Sequence, residues 1–160
     1  VGVFVNEDAE TVNREAEVGG FSLVQLHGDE PPEVCAGVAL PVIKALTVDP
    51  ETTVEALREQ MARYADSVSY FLLDTRHETL RGGTGQTFDW DRVRGLSETT
   101  PFYLAGGLNP ENVEAAVRRV RPMGIDVSSG LEEQPGRKDF DKLQAFFETI
   151  DRLRHTEPSP

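Results

Sequence analysis

The sequence predicts one α/β domain built on a parallel sheet, and three observations predict it. Short apolar runs of the buried-strand type alternate with amphipathic stretches of helical period, six times along the chain. Polar capping residues open several of the helical stretches. Glycine and proline gather where the apolar runs end, at Gly28, Pro31-Pro32, Gly82 to Gly85, Gly106-Gly107 and Gly130. The 160 residues suffice for one core, and no linker, low-complexity tract or repeat beyond the alternation divides them.

The strands are expected at residues 1–5, 22–26, 42–46, 70–74, 102–105 and 124–128. Asp8 precedes Ala9-Glu10-Thr11-Val12 as a helix cap. Asp49-Pro50-Glu51 opens a helical stretch to about Tyr64, and Asn109-Pro110-Glu111-Asn112 opens one from Val113 to Val120. The polar-Pro-acid order supplies a cap, a preset φ and a charge that complements the helix dipole. Pro31-Pro32-Glu33-Val34 leads into a short outer helix carrying Cys35, and the last helix runs from about Asp139 to Leu153. The tail from about residue 155 to residue 160 is expected to fray.

Twenty-eight acidic against 16 basic residues give a formal net charge of −12. The summed field repels nucleic acid and anionic lipid, so neither is an expected partner, and a phosphorylated small molecule has to be held by local geometry. No apolar run approaches the roughly 20 residues that cross a bilayer, and no leader peptide opens the chain, so a cytoplasmic location is expected. The single cysteine, Cys35, excludes an internal disulfide and a cysteine-rich metal site. The chain opens inside an apolar run, Val1-Gly2-Val3-Phe4-Val5, which reads as part of a longer protein.

Two loops carry the clearest chemistry: Ala105-Gly106-Gly107-Leu108-Asn109-Pro110-Glu111-Asn112 and Asp126-Val127-Ser128-Ser129-Gly130. Each follows a strand. Small residues let backbone N–H groups approach a phosphate, and serine hydroxyls add donors. The bland alternative is a tight turn at Gly106-Gly107 and serines that only cap the next segment; two such loops on consecutive units favour phosphate. Asp74 ends an apolar strand, where a carboxyl can act as a general acid or simply cap a loop. The stretch from Gly82 to Gly85 after it can cover a site, and no Gly-Lys-Ser/Thr makes it a P-loop.

Gln25 and His27 share one strand face, two residues apart, and both can reach a ligand. Asp126 is an acceptor for amine or hydroxyl groups, or a cap for Ser128 or Ser129. Lys44 is the one lysine at a strand end, fit for an ion pair or a substrate contact more readily than for a Schiff base. Cys35 reads as an inert packing residue.

Seven segments in order resemble the phosphoribosylanthranilate isomerase family: Val1-Gly2-Val3-Phe4-Val5-Asn6, Gln25-Leu26-His27-Gly28-Asp29-Glu30, Val42-Ile43-Lys44-Ala45, Leu72-Leu73-Asp74-Thr75, Gly82-Gly83-Thr84-Gly85-Gln86-Thr87-Phe88-Asp89-Trp90, and the two phosphate loops. The resemblance implies a (β/α)8 barrel, of which residues 1–160 form one partial domain, the third to eighth βα units. It implies an Amadori rearrangement of N-(5-phosphoribosyl)anthranilate to 1-(2-carboxyphenylamino)-1-deoxyribulose 5-phosphate, with no metal or organic cofactor. Asp74 matches the family's general acid, Gln25, His27 and Asp126 fall at substrate contacts, and Gly106, Gly107, Ser128, Ser129 and Gly130 at the phosphate. The family's general base is a cysteine on the first strand, and nothing here matches it. The isolated chain is therefore expected to turn over little or nothing, and the complete protein to be a monomer or homodimer. The competing readings are another phosphosugar-binding barrel enzyme, a non-catalytic barrel fragment, and an open doubly wound sheet.

Overall fold

The computed structural model describes residues 1–75 and 90–156. Six strands form one sheet: β1 (Gly2–Phe4), β2 (Val24–Leu26), β3 (Val42–Val48), β4 (Tyr70–Thr75), β5 (Phe102–Ala105) and β6 (Gly124–Ile125). Every neighbouring pair is parallel, and the spatial order is β1-β2-β3-β4-β5-β6, the order of the chain. A doubly wound sheet reverses its strand order at a switch point, and this one does not. Since parallel crossovers are right-handed, an unreversed order sends every connection over the same face.

The core reflects that one-sided winding. Val24, Leu26, Val42, Leu46, Phe71, Leu73, Phe102 and Leu104 point to the helical face. There they meet Val12 and Ala16 of α1 (Ala9–Gly19), Cys35 of α2 (Pro32–Ala36), Leu57 and Met61 of α3 (Val54–Tyr64), and Ala116 and Val120 of α4 (Val113–Val120). The opposite face holds a smaller cluster made only of strand residues, Ile43, Ala45, Leu72 and Ala105, with Leu23 and Tyr103 against it. On β1 and beside it, Val1, Val3 and Val5 stay 65%, 60% and 58% exposed.

Helix starts follow the capping chemistry, with one correction. The Asp8 carboxylate accepts from the Thr11 amide at 2.7 Å and opens α1. Asp49-Pro50-Glu51 does not open α3. Those residues close a turn in which the Thr52 amide donates to the Asp49 carbonyl, and Thr53 then caps α3 by accepting from the Ala56 amide. Asn109 and Pro110 likewise form a turn ahead of α4, which starts at Val113 as expected.

The C-terminal third departs further. β6 ends at Ile125 rather than at residue 128: the Asp126 amide still reaches the Leu104 carbonyl, but Ser128, at φ −126° and ψ −87°, turns the chain off the sheet. An antiparallel hairpin follows, β7 (Glu132–Gln134) and β8 (Arg137–Lys138), turning at Gly136 with φ +80°. The final helix, α5 (Phe140–Thr156), runs past the expected end, so His155 is helical. Asp139 starts it by accepting from the Asp141 and Lys142 amides. The expected cover at Gly82 to Gly85 and the last four residues lie outside the described residues.

Candidate active site

The carboxyl ends of β2, β4, β5 and β6 surround a cavity of about 200 Å³. His27, Asp74, Gly106, Gly107, Asp126, Ser128, Ser129 and Gly130 line it together. Gln25, expected among the substrate contacts, stands back from the cavity, buried one step behind His27. Strand register explains the grouping: Asp74 pairs with Thr47 and Ala105 on the face away from the helices, the same face on which Gln25 pairs with Val3 and Ile43.

His27 Nε2 lies 3.3 Å from Asp74 Oδ2, and His27 Nδ1 lies 2.9 Å from Gln25 Nε2. The two side chains of that last pair meet because they sit two residues apart at the end of a strand. The His27 amide donates to the Phe4 carbonyl, which fixes the base of the ring. Asp126 has an exposed carboxylate with no hydrogen bond among the described residues, and it caps neither Ser128 nor Ser129.

The two glycine loops are braced from outside the cavity. Gly106 and Gly107 adopt φ +91° and +63°, which glycine reaches without the steric cost a side chain brings. A Cβ at Gly106 would meet Thr75, and one at Gly130 would meet the Leu108 carbonyl oxygen. Asn112 donates from Nδ2 to the Gly107 carbonyl at 2.9 Å and accepts from the Asn109 amide. Lys138 donates to the Ser128 carbonyl at 2.8 Å and pairs with Glu132, whose carboxyl the ammonium holds below its ordinary range. The Gly107 and Ser128 carbonyls are taken up by these contacts, while the amides of Gly107, Leu108, Ser129 and Gly130 have no partner among the described residues. Among the described residues no Arg or Lys side chain lines the cavity, so of those residues it is backbone donors that an anion there meets.

Replacing Gly130 by alanine forces this loop off the Leu108 carbonyl. The loss of one amide donor to a bound phosphate is worth about 1.5 kcal/mol, so KM for a phosphorylated substrate is expected to rise roughly tenfold with the fold intact. Steady-state kinetics with circular dichroism as a control checks this.

Thr75 was not legible as a site residue. It is buried, and its hydroxyl lies 3.0 Å from the Ala105 carbonyl and 3.1 Å from that of Gly106, tying β4 to the Gly106 turn. Its position right after Asp74 was the available signal. Thr75→Val keeps the shape and strips the donor; about 1–3 kcal/mol of stability is expected to go, measured by urea unfolding.

Lys44 faces the helices, away from the cavity, and is only 1% exposed. Its ammonium donates to the Gly28 carbonyl at 2.6 Å and to Glu30 Oε2 at 3.0 Å. Glu30 also accepts from the Asn6 amide at 2.7 Å and from the Gly28 amide. Burial pushes the Glu30 carboxyl up, but these amides and the ammonium outweigh it and leave the carboxyl below its ordinary range. This cluster anchors the loop that carries His27. Cys35, buried in α2 beside it, has its thiol pushed up by desolvation and is remote from the cavity. Among the described residues no group of three or more His, Cys, Asp or Glu side chains could hold a metal ion, and no helix there is long and apolar enough to cross a membrane.

A parallel sheet wound in one direction, with acids and small-residue loops converging at its carboxyl ends, is the construction of α/β enzymes that act on phosphorylated small molecules. The family model described as N-(5'-phosphoribosyl)anthranilate isomerase matches residues 1–149. The N-(5'-phosphoribosyl)anthranilate isomerase of Pelobacter propionicus is 45% identical over 154 residues, which are 96% of this chain and 71% of that one. The crystal structure of the Thermotoga maritima phosphoribosyl anthranilate isomerase superposes with a TM-score of 0.80 at 39% identity, over 95% of this chain and 72% of that one. A further isomerase structure, in complex with reduced 1-(o-carboxyphenylamino)-1-deoxyribulose 5-phosphate, superposes at 0.77 with 37% identity, over 95% of this chain and 71% of that one. The chain belongs to the phosphoribosylanthranilate isomerase family.

Proposed function

We propose that the cavity at the ends of β2, β4, β5 and β6 is where N-(5'-phosphoribosyl)anthranilate is rearranged, with Asp74 as general acid. What carries the reading is the convergence of Asp74 with both small-residue loops on one cavity, in a chain of this family. The Gly107, Ser129 and Gly130 amides and the serine hydroxyls bind the phosphate, and His27 and Asp126 contact the sugar and amine. Asp74 protonates the furanose oxygen as the C1′–O bond breaks and the nitrogen lone pair closes the C=N bond of a protonated Schiff base; transfer of the C2′ proton to the family's cysteine base, which no residue here matches, then gives the enolamine that becomes the aminoketose.

In this reading the six units are the third to eighth of a (β/α)8 barrel, and residues 1–160 are one partial barrel domain. The unreversed strand order, the helices on one face only, and the exposed Val1, Val3 and Val5 on the other support it. No residue here matches the family's cysteine base, since Cys35 sits in α2 behind the sheet. A chain of these residues alone is accordingly expected to turn over little. Membership of the family weighs against a different phosphosugar barrel enzyme.

The test is the loss of phosphoribosylanthranilate fluorescence with the natural full-length protein. Conversion supports the reading; unchanged fluorescence together with turnover of another phosphosugar overturns it.

A further inference from the structure

We infer that Gln25 is a positioning residue: its side-chain amide sets the tautomer of His27, and His27 thereby fixes which oxygen of Asp74 carries the catalytic proton. The inference rests on the reading of Asp74 as the acid, and it begins from two distances. Gln25 Nε2 is 2.9 Å from His27 Nδ1, and His27 Nε2 is 3.3 Å from Asp74 Oδ2.

An amide NH2 donates and has no acceptor capacity, so Nδ1 opposite it must present a lone pair. A neutral imidazole with a bare Nδ1 carries its hydrogen on Nε2. That N–H then donates to Asp74 Oδ2. A carboxylic acid needs one oxygen for its proton, and with Oδ2 engaged as an acceptor the proton sits on Oδ1. His27 and Asp74 both line the cavity, with side chains 32% and 31% exposed, so Oδ1 is left for a ligand.

The same relay explains why a neutral ring suits an acid. An imidazolium against Asp74 would favour the ionised carboxylate, which has no proton to give. It would also set an N–H on Nδ1 against the amide donor of Gln25. Burial keeps the amide in place: Gln25 is 8% exposed, with Val3 and Ile43 as its cross-strand neighbours.

Nitrogen-15 NMR of the full-length protein, labelled at histidine and assigned through a His27→Gln control, reads the tautomer directly and needs no functional variant. The expected spectrum at neutral pH shows His27 with protonated Nε2 and bare Nδ1. A protonated Nδ1 would overturn the assignment. Gln25→Glu replaces the donor by an acceptor of the same shape and is expected to protonate both ring nitrogens. With it, kcat falls at least tenfold while KM stays within about threefold, the pattern of a group acting on the proton transfer and not on binding. A moved tautomer with unchanged kcat would remove Gln25 from the mechanism. Asp74→Asn separates the two layers: if it leaves kcat intact, the acid assignment fails whatever the spectrum shows of His27.

Discussion

Asp74→Asn is expected to lower kcat of the full-length isomerase by about 10²- to 10⁴-fold, the usual range for removing a positioned general acid. Asparagine keeps the shape, so the fold and the phosphate loops stay as they are. The side chain is about one third exposed and touches His27 alone among the described hydrogen-bond partners, so little stability rests on it. KM should therefore change by no more than a few fold, and the unfolding midpoint by little. Kinetics and urea unfolding of the same preparation separate this outcome from a folding defect. An equal loss of stability would mean that Asp74 holds the loop ends together instead of serving the reaction.

The second large effect lies on the other face of the sheet. Lys44→Met is expected to cost about 3–5 kcal/mol, because it leaves the Glu30 carboxylate buried without its cation. The side chains of Lys44 and Glu30 are 2% and 1% exposed, so solvent screens neither. Adding Glu30→Gln to Lys44→Met removes the orphaned charge and should recover much of the loss, and urea unfolding of the single and double variants reads the coupling. The pair also gives a signed pH dependence. Glu30 ionises below its ordinary value of 4.5 in the folded protein, so its contribution is complete above that value. It is lost as pH falls through the lower, folded value. The double variant should lack this acid-side decline.

The sheet and most of the cavity were legible because strand ends are marked by composition. Asp74, Gly106-Gly107 and Ser128-Ser129-Gly130 each close an apolar run, and a parallel sheet puts all such ends on one side. Lys44 was expected at a strand end, but β3 runs on to Val48 and leaves it inside the strand and buried. Its face is decided by strand parity against Val42 and Leu46, and its partner Glu30 is reached only when the loop after β2 folds beneath. The hairpin of Glu132–Gln134 and Arg137–Lys138 went unseen because neither strand alternates apolar with polar residues. Its work is done by Lys138 on the Ser128 carbonyl, a contact across ten residues that no local pattern announces. Thr75 was hidden for the same reason: its partners are thirty and more residues away. The polar-Pro-acid order pointed to Asn109 as the cap of α4, yet Asn112 holds the cap position, and its side chain makes no capping bond and instead closes the Gly107 loop.

The most direct measurement is a crystal structure of the full-length protein with a non-reacting product analogue bound. The phosphate is expected within hydrogen-bond distance of the Gly107, Ser129 and Gly130 amides, and the sugar against Asp74 with His27 Nε2 still on Oδ2. A phosphate bound elsewhere, or a sugar out of reach of Asp74, would contradict that expectation.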